Sequence, residues 1–175
     1  MSKKKRKREN PPAVADRIVG SPEPSHPGHG ATAALLAGAI VAVYAFASGG
    51  TWAMDDEIIR TAGSLEHIRD LIGIRRVSLL TFQLNPTFGL DGPAPYRRGN
   101  VFFHVLVTLS VYATTLLVFP AGTFSRREHE RRRWSAALLA GVLFGLHPIQ
   151  TGAVTYIVQR MAVLSTLAVV VALLS

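Results

Sequence analysis

Apolar residues come along this chain in long unbroken runs. They show neither the alternation of a half-buried strand nor the three-and-four spacing of a surface helix. Residues 31–48 (ATAALLAGAIVAVYAFAS) hold no charge and predict a first membrane span. Residues 101–119 (VFFHVLVTLSVYATTLLVF) predict a second, with His104 as its one ionisable group. Residues 135–174 are almost wholly apolar, interrupted by His147-Pro148 and by Arg160. That run is too long for one crossing, which takes ~17–25 residues. It predicts a helical hairpin turning between His147 and Arg160. The expected fold is therefore all-α, a polytopic membrane bundle of about four spans, near residues 31–50, 101–119, 135–157 and 160–175. The last run stops after about 15 residues, short of the ~20 a crossing needs, and so reads as a truncated helix.

The connecting segments are polar. Residues 1–30 open with Lys3-Lys4-Lys5-Arg6-Lys7-Arg8 and continue rich in Pro, Ser and Gly. Such a segment cannot bury enough apolar surface to offset ordering entropy, so a disordered tail is expected. Residues 51–100 form a long loop. Within it, 64–72 (SLEHIRDLI) places Leu65, Ile68, Leu71 and Ile72 at helical spacing behind Ser64. This predicts a short amphipathic helix on the membrane surface. Lys and Arg concentrate on the cytoplasmic side of spans. The tail carries seven basic against three acidic residues, and loop 120–134 five against two. Two spans separate them, so both fall on one side. The predicted topology is a multi-pass protein of the cytoplasmic membrane with its N-terminus inside. Loop 51–100 and the tip near 147–160 then lie outside.

Composition narrows the function classes. Of 175 residues, 49% are hydrophobic and 17% charged, against about 25% charged in a typical soluble domain. A single water-soluble globule is excluded on this reading. No cysteine is present, which removes disulfides, thiol nucleophiles, Cys-ligated zinc and iron–sulfur clusters. The net charge of +8 would suit nucleic acid. The spans behind the Lys/Arg hexamer already explain it as a cytoplasmic anchor, so no nucleic-acid partner is expected; membrane lipids are.

Four groups carry candidate chemistry. Asp55-Asp56-Glu57 begins just outside the first span, where a carboxylate can take a proton from a hydroxyl or hold a cation. The plainer reading is a solvated interfacial cluster. The long outer loop is itself a candidate, because long loops in compact units are usually functional. Asn100 and His104 are four apart and share a helical face. A span His faces protein or a wet cavity, or simply bonds a neighbouring helix. Pro148 breaks a helix beside His147, and Arg160 is suited to a phosphate or to snorkelling at the interface. No metal-ligand spacing is visible, so no cofactor is expected, though the acids could join a divalent-metal site.

The run from His147 to Met161 (HPIQTGAVTYIVQRM) resembles a hallmark segment of the bacterial tetratricopeptide-repeat O-mannosyltransferase-like family, membrane glycosyltransferases of the C-type fold. Other features follow the family's order. An acidic pair after the first span matches Asp55 and Asp56. An Arg leading into Leu-Thr-Phe matches Arg76 and Leu80-Thr81-Phe82. Gly-Leu before a Pro matches Gly89-Leu90 and Pro93. Asn-x-x-x-His matches Asn100 and His104. The chain departs at Val77, at Pro95-Tyr96-Arg97-Arg98 and at Gly152. The resemblance implies the N-terminal portion of an enzyme transferring a mannose-like sugar from a polyprenyl-phosphate donor to a hydroxyl of an acceptor protein. It assigns catalysis to Asp55 and Asp56. Substrate binding falls to Arg160, His147, Arg76, Asn100 and His104. The alternatives are a noncatalytic anchoring or assembly module and a truncated, inactive product.

Overall fold

A computed structural model describes residues 27–52, 56, 59, 74–90, 92–120 and 125–174. Residues 1–26 of the expected tail, Asp55 and the expected surface helix at 64–72 lie outside them. The described residues form six α-helices and no strand. In chain order these are α1 (His29–Tyr44), α2 (Ile74–Thr87), α3 (Pro93–Val118), α4 (Arg126–Leu146), α5 (Gln150–Thr155) and α6 (Arg160–Ala172). A 3₁₀ turn extends α1 through Ala45–Ser48, and another, Ile157–Gln159, leads into α6.

Local chemistry sets these boundaries. α3 starts with Pro93 in the first turn, where a missing N–H costs nothing, after Gly92 at φ 98°. Pro120 lies just past its end. Ser125 caps α4 by accepting from the Glu128 amide at 3.3 Å, and Glu128 then pairs with Arg132 one turn on, at 2.8 Å. α4 stops where His147 precedes Pro148. The proline ring pushes the preceding residue into extended backbone, here φ −66° and ψ 133°. The helix expected over 135–157 is thus two pieces. What was expected to be a plain hairpin turn is the short helix α5 followed by the 3₁₀ turn.

α3 is the central element and packs against all five other helices. α1 and α4 both run antiparallel to it. At one end His29 bonds the Tyr112 hydroxyl (2.8 Å), and Trp134 Nε1 donates to Thr32 (3.0 Å). There, too, Arg133 Nε donates to Leu116 O (2.6 Å), one of the last carbonyls of α3. Between α1, α3 and α4 lies a core of Leu36, Ile40, Tyr44, Tyr112 and Ala137. A second cluster, Leu79, Phe82, Tyr96 and Ile157 with Ile59, joins α2 to the opposite end of α3.

The buried face of α4 consists of Ala137, Gly141 and Gly145, at intervals of four. Small residues in that register let helices approach closely. A Cβ on Gly141 would stand 2.7 Å from Leu36 Cδ2, and one on Gly145 2.8 Å from Thr108 Cγ2 and 2.9 Å from Ile40 Cδ1. The absent side chains are what seat α4 on α1 and α3.

Among the described residues one helix, α3, is long and apolar enough to cross a membrane, at a mean hydropathy of 2.0 in its apolar window. α1 and the segment Ile157–Ala172 are shorter apolar helices.

Candidate functional site

The first turns of α3 carry a polar stripe, Arg97, Asn100, His104 and Thr108, at helical spacing and all buried. Each long side chain in it meets backbone that a helix end or break has freed. Arg97 donates from Nη1 to Gly49 O (2.6 Å), from Nη2 to Thr51 O (2.6 Å) and from Nε to Thr155 O (3.0 Å). It thereby ties the chain leaving α1 to the end of α5. Gly50 sits beside it at φ 106°, in the left-handed region that favours glycine. Asn100 Nδ2 donates to Tyr156 O at 2.9 Å, with longer approaches to Val154 O and Ile157 O. His104 Nε2 lies 3.0 Å from Gly145 O, near the end of α4. A carbonyl only accepts, so that nitrogen carries the proton. The ring meets Tyr44 edge-on and stacks on Phe144.

Arg160 opens α6 and is 1% exposed. Its Nε donates to Asn100 Oδ1 (2.9 Å), Nη1 to Thr81 O (3.0 Å) and Nη2 to Tyr96 O (2.6 Å). Phe82, Tyr96 and Phe103 surround the cation, Phe82 nearest at 4.4 Å. The guanidinium expected at the outer surface is thus enclosed. It binds α2, α3 and α6 through one rigid fork. Gly99 makes room for it: a Cβ there would fall 2.6 Å from Nη2.

Asp56 is wholly buried. Its Oδ1 accepts from the Val158 amide at 3.2 Å, in the turn that begins α6. Carboxylates are favoured at such amide-rich helix starts. Its Oδ2 is buried without a hydrogen-bond partner, and among the described residues Asp56 forms no ion pair. A buried, unsatisfied acceptor costs about 1–3 kcal/mol. That leaves Oδ2 as a buried carboxylate oxygen, among the described residues, open to a proton or a donor.

The structure therefore gathers Asp56, Asn100 and Arg160 around the segment 154–160. His104 lies one turn further along α3. Arg76 and His147 are exposed, unlike these buried groups. His147 Nδ1 accepts from the Ile149 amide at 3.2 Å, bracing its own turn. Among the described residues no group of three or more His, Asp or Glu side chains is placed to hold a metal. By motif, Phe82 falls within Leu80-Thr81-Phe82, and Tyr96 and Arg97 stand as departures from the family pattern, but none of the three is given a role. Arg97 was legible in part, since 97, 100, 104 and 108 share one helical face. The aromatic box around Arg160 was not, because it joins α2, α3 and α6.

Compared with known proteins, the chain matches no family model, no curated protein and no solved structure.

Proposed function

We propose that this chain is the membrane part of a glycosyltransferase that moves a mannose-like sugar from a polyprenyl-phosphate donor to a protein hydroxyl at the outer face of the cytoplasmic membrane. The membrane reading is supported by α3, of whose apolar window only 28% is buried inside the molecule. A soluble core helix would be mostly covered. α1 with its 3₁₀ extension, the apolar part of α4, and α6 then stand as the other spans of a four-span bundle.

The observation that carries the catalytic reading is the unpartnered Oδ2 of Asp56. In the reaction the acceptor oxygen bonds the anomeric carbon, the carbon–oxygen bond to the lipid phosphate breaks, and that phosphate leaves with the electron pair. The hydroxyl proton goes to Oδ2 while Oδ1 stays on Val158. Asp55, adjacent in sequence, is the second carboxylate of the pair. Burial excludes water and strengthens each electrostatic contact in the site. Arg160 and Asn100 are positioning residues: they fix the 156–160 segment that holds Asp56. Arg76 and His147 are exposed groups on the substrate side.

The test is transfer by the full chain in membrane vesicles supplied with polyprenyl-phosphate sugar and an acceptor peptide. Asp56→Asn keeps an acceptor for the Val158 amide, so the fold should persist. The rate should fall about 10²–10⁴-fold. Full activity in Asp56→Asn would remove the catalytic assignment.

A second reading, a noncatalytic membrane module, is favoured by one feature: Arg97, Asn100, His104 and Arg160 all spend donors on protein backbone or on each other. Absence of transfer by the unaltered chain with donor and acceptor present would favour that reading.

A further inference from the structure

A groove of about 440 Å³ runs between α1 and α3. Its walls are Val41, Tyr44 and Ala45 on one side and Val101, Phe102 and Val105 on the other, with Arg98 at its mouth. On α3 the lining residues 98, 101, 102 and 105 form a single helical stripe. Val105 lies about 10 Å below Arg98 along the axis, at ~1.5 Å per residue. The groove is thus graded from one cation to pure hydrocarbon. Its walls open outward, with Val41 51% and Phe102 58% exposed.

Arg98 differs from its neighbours. Arg97 and Arg160 are buried with donors committed to carbonyls. Arg98 is exposed and has no hydrogen bond or ion pair among the described residues. A lone guanidinium balances one negative charge, as a phosphodiester carries, and its fork matches two phosphate oxygens. It stands one turn above the apolar run of α3, at headgroup depth if α3 spans.

We propose that the α1–α3 groove is a binding site for an anionic glycerophospholipid, with Arg98 on its phosphate and one acyl chain lying along Phe102 and Val105. The open wall favours the bilayer's own phospholipid, because that is the most concentrated phosphate-bearing amphiphile beside it. This site rests on the membrane reading of α3 and is independent of sugar transfer.

The test uses the full chain reconstituted in vesicles of equal phosphatidylglycerol and phosphatidylcholine, extracted in mild detergent, with retained lipid read by native mass spectrometry. Phosphatidylglycerol should be enriched about fivefold, the effect of one guanidinium near the surface. Arg98→Gln should return the ratio to that of the vesicle, while Arg98→Lys keeps the enrichment. Val105→Trp, which fills the groove, should lower retention of both lipids. Equal enrichment in Arg98→Gln would overturn the site. So would displacement of the phospholipid by polyprenyl phosphate at a tenth of its concentration, which would assign the groove to that lipid instead. Failure of the chain to enter vesicles would overturn the membrane reading beneath the site, and loss of sugar transfer alone would leave it standing.

Discussion

Arg160 and Asn100 hold each other, and between them they hold three stretches of chain. The guanidinium reaches α2 through Thr81 O and α3 through Tyr96 O, while the Asn100 amide takes up the Tyr156 carbonyl. Leaving one buried donor or acceptor unsatisfied costs about 1–3 kcal/mol, so Asn100→Ala should lower stability by at least that much. Arg160→Lys should cost a similar amount, because an ammonium cannot present the planar fork that meets three acceptors. Gly99→Ala should act on the same contact from the other side, since its methyl would enter the space of Nη2. Thermal unfolding in detergent reads all three, and a midpoint unchanged in Asn100→Ala would show the network to be dispensable. At this scale the sequence was only partly legible. Asn100 and His104 could be placed on one face from their spacing. Their partners could not, because they are backbone carbonyls distant in sequence and no motif names a carbonyl. Arg160 looked like a surface cation for the same reason: nothing in HPIQTGAVTYIVQRM announces the rings of Phe82 and Tyr96.

Among the elements, α3 and α4 show the contrast between what hydropathy reveals and what it hides. The apolar run 101–119 located α3 closely, and Pro93 explains why the helix begins two turns earlier. Ser125, whose hydroxyl accepts from the Glu128 amide, is the N-cap that fixes the start of α4. Ala137, Gly141 and Gly145 blended into their apolar surroundings, although their interval of four is written plainly in the sequence. Packing assigns them different costs. At Gly141 the nearest atom is the end of a leucine side chain, which can rotate away. At Gly145 a new methyl would meet Thr108 and Ile40 together. Gly145→Ala should therefore destabilise by about 1–3 kcal/mol, and Gly141→Ala by less. Unfolding midpoints of the two variants in one detergent check the order, and the reverse order would contradict the packing described. His104→Gln should keep a donor near Gly145 O and lose less stability than His104→Ala, whose loss is expected to be about 1 kcal/mol.

For the whole molecule, α3 sets the length scale. Its 26 residues span about 39 Å at ~1.5 Å per residue, so the Arg98 end and the Arg126–Arg133 end lie far apart. If the bundle crosses the membrane with its basic loop inside, single cysteines at these ends should label oppositely. Arg98→Cys should react with an impermeant maleimide on intact cells, and Arg132→Cys only after permeabilisation. The natural chain has no cysteine to confuse the readout. Labelling of both positions from one side would refute the proposed topology. Charge asymmetry is the sequence signal behind this proposed arrangement, whereas hydropathy alone is a poorer guide to the number of crossings. α4 carries seven charged residues among its 21, all within the first eight, and Pro148 divides what hydropathy shows as one run.

The cradle at Gly99 also bears on the order of manufacture. A ribosome delivers α1 and α3 well before Arg160 emerges, sixty positions after Asn100. Until then the rings of Phe82 and Tyr96 and the carbonyls of Thr81 and Tyr96 lack the guanidinium they hold in the folded protein. The guanidinium enters among them as a bolt enters a lock, and in doing so brings the Val158 amide to Asp56. The earlier part of the nascent chain thus waits on a residue made sixty positions after Asn100, and the buried surroundings of that carboxylate are completed only once it arrives.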